Sequence, residues 1–151
     1  MTTNNSVNRM ANGGFRKKIG LTFAVVGFLL FILGAQPSIF GLDRSPITGY
    51  VQILTFLLGL AFVCVGGYMS LASLWNGYQK TIAADIGLRL VSTGYVIAFG
   101  SAMADFFGFG SQAMPVIPIF GGWQKLGVVI GQVVIAAGFV LMLPFRQQHK
   151  D

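Results

Sequence analysis

Four long apolar runs, separated by short polar or Pro- and Gly-bearing connectors, account for most of the chain, and a membrane-spanning helix needs about 20 apolar residues. The first run, Ile19 to Ala35, follows the basic cluster Arg16-Lys17-Lys18 and stops at Gln36-Pro37. The second runs from about Ile47 to Ser73, opened by Ser45-Pro46, a pattern that suits an N-cap and a proline in the first helical turn. A third begins near Thr81 and extends to the Gly108-Phe109-Gly110 break; the fourth covers about Trp123 to Phe145 and closes at Pro144. The runs are continuous, whereas a transmembrane β-barrel shows ten-residue alternating segments, so the expected fold is all-α: a transmembrane four-helix bundle with spans near 19–35, 47–73, 82–108 and 123–145.

What flanks the runs is polar. Residues 1–14 are Asn-rich without apolar periodicity and read as a mobile tail, part of a basic segment 1–18, and 146–151 form a second tail. A basic cluster before an apolar run also describes a signal peptide, but Leu33 is bulky at the minus-three position before Ala35 and the run is longer than a usual signal core, so the first span is expected to be retained. In the connector 74–80, Trp75 and Tyr78 stand where interfacial aromatics belong, Asn76-Gly77 forms a turn, and Lys80 is a positive anchor.

Composition agrees with the pattern. Of 151 residues 54% are hydrophobic and 9% charged, far below the roughly 25% charged of soluble domains, which excludes a soluble globular protein. The net charge of +6 does not point to nucleic acid, because the cations sit at the ends of the runs, where contacts with lipid headgroups account for them. Arg9, Arg16, Lys17, Lys18, Lys80, Arg146 and Lys150 fall on the side of the termini and only Arg44 and Lys125 opposite, so the positive-inside rule puts both termini in the cytoplasm of a bacterial cytoplasmic membrane. That asymmetry also argues against a dual-topology transporter.

Small residues recur every seven positions: Gly20, Gly27 and Gly34; Gly59, Gly66 and Ser73; Gly87, Gly94, Ser101 and Gly108; Gly131 and Gly138, with Gly127 and Gly131 forming a GxxxG. Seven residues make two helical turns, so each set is a stripe on one face. Helices in lipid associate by close backbone approach over such stripes, which predicts a compact, left-handed bundle.

Apart from Lys125 near the start of the fourth, charge within the spans is confined to the third: Asp85, Arg89 and Asp105. At 1.5 Å rise per residue Asp85 and Asp105 are about 30 Å apart, one at each interface, with Arg89 about 6 Å inside and at i+4 from Asp85. Interfacial anchoring plus a local ion pair is the simplest reading. Helical phase adds another: Asp105 shares a face with Gly87, Gly94 and Ser101 and should point into the bundle, whereas Asp85, Arg89, Ser92, Thr93, Val96 and Gly100 lie opposite. A helix with small or polar residues on both faces is expected to be buried on both, so Asp85, Arg89, Thr93 and Gly100 are candidate contacts with a second chain, either a copy or another subunit. Between spans three and four, Phe106 to Gly122 is rich in Phe, aliphatics and Pro and carries no charge; it reads as an interfacial segment or a lid over the bundle mouth, oriented by Asp105.

Other chemistry is missing. The sole histidine is His149, the sole cysteine Cys64, and Glu is absent, so no haem ligation, metal cluster, nucleophilic triad or phosphate-binding loop can be assembled, and neither cofactor, metal nor enzymatic activity is expected. Single amides such as Gln132 usually serve interhelical hydrogen bonds. Two stretches, Phe40 to Pro46 (FGLDRSP) and Thr81 to Leu90 (TIAADIGLRL), resemble small uncharacterised bacterial four-helix integral membrane proteins over roughly residues 27–145. The resemblance implies the architecture and no activity. The expected role is a structural or accessory membrane subunit, held among membrane lipids as a homo-oligomer or with other membrane subunits. The alternative is a small oligomeric channel or transporter in which Asp85, Arg89 and Asp105 line a pathway.

Overall fold

The computed structural model describes residues 3–41, 49–75, 80–109 and 121–144. Among these the chain forms α1 (Thr3–Ala35), a short 3-10 turn (Pro37–Phe40), α2 (Tyr50–Leu74), α3 (Ile82–Ala102) and α4 (Gly122–Met142), with no strand. Each of the four helices contains a segment long and apolar enough to cross a membrane: Gly14–Ala35 in α1 and the whole of the other three. The segments Asp43 to Pro46, Asn76 to Tyr78 and Arg146 to Asp151, and most of the Phe-rich connector, lie outside the described residues.

The helix ends follow local chemistry and shift several expected boundaries. Helix α1 starts at Thr3 instead of beginning with the first apolar run, so the tail expected to be mobile is helical from Thr3: no proline precedes Pro37, and a helix once nucleated propagates outward. Thr81 caps α3, its hydroxyl accepting from the Ala84 N–H at 3.3 Å. Gln124 reaches back over the start of α4, its Oε1 accepting from the Gly121 N–H at 2.8 Å. Leu143 is already extended (ψ 137°), as the residue before Pro144 must be, and ends α4 short of Phe145.

The third helix ends at Ala102, not at Gly108. The chain then turns through residues 103–108 and closes with the Phe109 N–H donating to the Ala104 carbonyl (2.9 Å) and the Gly108 N–H to the Asp105 carbonyl (3.3 Å), the paired bonds of a Schellman motif. Gly108, φ 77°, occupies its left-handed position and meets nothing within 4 Å. It therefore terminates a turn and does not extend the small-residue stripe. Gly108→Ala is expected to cost about 1 kcal/mol, read as a lowered midpoint of detergent-induced unfolding.

Packing divides the molecule into two antiparallel hairpins, α1 with α2 and α3 with α4. In the first, a Cβ on Gly27 would lie 2.6 Å from the Val63 amide nitrogen, one on Gly66 2.6 Å from the Gly20 carbonyl, and one on Gly59 2.8 Å from the Gly27 carbonyl. Gly34 is pressed in the same way against Phe56. In the second the contacts are reciprocal: Gly87 and Gly138 face each other's carbonyls at 2.5 and 2.6 Å, as do Gly94 and Gly131 at 2.6 Å, while Gly127 abuts Ser101. Real Cβ atoms do not approach this closely, so the seven-residue stripes are the inner seams of the two hairpins.

Between the hairpins the packing is of a different kind. Leu60 and Cys64 of α2 cluster with Val91 and Ala98 of α3 and Ile135 and Met142 of α4; nearer the far end Ile53 and Leu57 meet Ala102 and Val128. The Phe139 ring lies over Gly67, and the Tyr95 hydroxyl reaches the Leu57 carbonyl at 3.5 Å. Among the described residues Phe31 alone of α1 joins this core, so α1 leans almost wholly on α2 and the four helices do not close into a ring of equivalent contacts.

Candidate functional site

At the end where α1 and α3 begin and α2 and α4 finish, Trp75 is buried. Its indole N–H donates to the Met142 carbonyl at 3.2 Å, tying the last turns of α2 and α4 together. Trp75 stands at the end of a span, where the sequence pattern put an interfacial aromatic, and its buried ring also locks the hairpins together, the bond taking up a helix-end carbonyl that lacks an intrahelical donor. Beside it Lys80 lies over the Tyr68 ring, 5.2 Å from the centroid.

The candidate residues of α3 separate by face. Gly87, Gly94 and Ala98 are buried against α4. On the other side Asp85 and Arg89 form the predicted i, i+4 pair, Nη2 to Oδ2 at 3.2 Å, with the two side chains 58% and 80% exposed. Continuing up this face, Ser92 turns its hydroxyl back to the Leu88 and Arg89 carbonyls, Thr93 and Val96 are exposed, and a Cβ on Gly100 would meet nothing within 4 Å. Among the described residues no helix covers the face.

Its chemistry sets it apart. Elsewhere the exposed spanning surface is mainly aliphatic and aromatic: Leu21, Val25, Val26 and Phe28 on α1, where Thr22 is also exposed, Val51, Leu54, Leu58 and Val65 on α2, Val129, Ile130, Val133 and Val140 on α4. Such side chains suit lipid. The α3 face instead carries the Asp85–Arg89 pair near one interface, then Ser92, Thr93 and Gly100 around a single exposed valine, Val96, and polar groups in spans usually face protein.

Asp105 does not join that strip. It lies in the turn beyond α3, half-buried, with Oδ1 buried and without a hydrogen-bond partner among the described residues. Gln124, 5% exposed, has a buried Nε2 in the same condition. Asp105 is half-buried in a turn beyond the helix whose phase the expectation used, while Asp85 and Arg89 are exposed at the other end of α3. The three charges do not converge on one path. Sequence reasoning passed over Gln124, for which the only signal was an amide two positions past Gly122; it had selected Gln132, which is half-buried and has no hydrogen-bond partner among the described residues.

No group of three or more His, Cys, Asp or Glu side chains able to hold a metal occurs among the described residues. In comparisons with known proteins, no family model, curated protein or solved structure matches the chain.

Proposed function

We propose that the protein is a structural or accessory component of a bacterial cytoplasmic membrane, both termini in the cytoplasm, working by lateral association through the outer face of α3. The observation that carries this reading is the strip Asp85, Arg89, Thr93 and Gly100, exposed on a helix whose other face packs on α4 and α2. A partner helix there would shield the ion pair from lipid and could approach closely over Gly100. The orientation rests on the excess of Lys and Arg at the end of the molecule where the chain termini lie.

The experiment is native mass spectrometry of the tagged, full-length protein released from its own membranes in a mild detergent or nanodisc. A complex of fixed stoichiometry, lost when Gly100 is replaced by Leu, is the expected result. A bare monomer in both samples overturns the reading.

A further inference from the structure

Resting on that reading, we infer that the partner is a second copy of this chain, α3 packed on α3 about a two-fold axis along the membrane normal, with Arg89 of each copy against Asp85 of the other. A closed pair of copies inserted in the same orientation has its two-fold axis along the membrane normal, so their α3 helices run parallel and like residues lie at like depth. Asp85 and Arg89 are one turn apart, about 6 Å along the axis, a distance the arginine side chain spans. One acid and one base on the same face make the strip complementary to itself. A different partner would have to supply a matching acid and base of its own.

The intrahelical pair leaves capacity for this. A guanidinium has five N–H donors, and Arg89, which meets Asp85 through Nη2 and Oδ2, keeps most of its side chain exposed. In the dimer each carboxylate can take a guanidinium from its own helix and one from the other copy, giving a four-charge cluster with no net charge. The far end of the strip fits the same geometry. Of the glycines in α3, Gly87 and Gly94 are required by α4, but Gly100 meets open space although glycine weakens a helix. Against a second α3 it lets the two backbones close up, with Thr93 and Val96 between the glycine and the charges.

The test is disulfide cross-linking of the full-length chain in native membranes, on a Cys64→Ala background. Thr93→Cys and, independently, Val96→Cys are expected to give a product of twice the monomer mass containing only this protein, whereas Val133→Cys on the outer face of α4 gives none. Adding Arg89→Asp is expected to lower the yield about tenfold, and adding Asp85→Arg to that variant to restore it. A product containing a different protein overturns self-pairing and leaves lateral association standing; no product at either α3 position overturns both. Equal yield at Val133 marks the product as collisional and also overturns the pairing.

Discussion

Gly94→Leu is expected to drive α3 and α4 apart and to destabilise the fold by about 3 kcal/mol, the upper part of the range for overpacked cores. A Cβ at this position would stand 2.6 Å from the Gly131 carbonyl and 2.8 Å from the Ile135 amide nitrogen. Both are backbone atoms, so no rotamer change relieves the clash and the whole helix must move. Gly131→Leu meets the mirror-image obstruction at the Gly94 carbonyl and the Ala98 amide. Gly100→Leu on the same helix is the control: its side chain enters open space, and monomer stability should stay within about 0.5 kcal/mol of wild type. Equilibrium unfolding in mixed micelles, followed by circular dichroism, separates the two positions. Equal midpoints for Gly94→Leu and Gly100→Leu would contradict the seam between α3 and α4.

Trp75→Ala is expected to have the second largest effect, about 3 kcal/mol, because it leaves a cavity between hairpins and removes the donor to Met142. The joint between the hairpins is slender compared with the glycine seams within them, so the loss should loosen one pair of helices from the other before either pair opens. Trp75→Phe keeps most of the ring volume and gives up only the hydrogen bond, at about 1 kcal/mol. In the same unfolding titration, Trp75→Ala should give two transitions where the wild type gives one. A single unshifted transition would show that the Trp75 contact does not hold the hairpins together.

The seams were legible in the sequence because close helix approach in lipid is recorded in the residue type itself: Gly27, Gly59, Gly87 and Gly131 lack the atom that would prevent it. Which stripe faces which was not legible, since all four carry the same interval. The joint between hairpins left still less trace. Leu60, Tyr95 and Phe139 belong to the same residue classes as side chains that face lipid, and in a membrane both environments are apolar. Trp75 fits an interface and a buried lock equally well by composition. The end of α3 was misplaced for a related reason: hydropathy continues through Phe106 and Phe107, and only Gly108, whose left-handed conformation the sequence does not display, marks the turn. For the candidate contact strip, the Asp85–Arg89 pair followed directly from its spacing, whereas the helical phase assigned to Asp105 does not apply, because α3 ends at Ala102. That α4 would cover only the opposite face required the packed structure.

Lateral association through α3 requires that protein, not lipid, cover its outer face. The most direct measurement places a photoreactive benzophenone side chain at Thr93 in the full-length protein, irradiates cells in which it resides in its own membrane, and asks what becomes attached. Protein adducts at Thr93, with none at the outward-facing Val51 of α2, are the predicted result. Lipid adducts alone at both positions would contradict it.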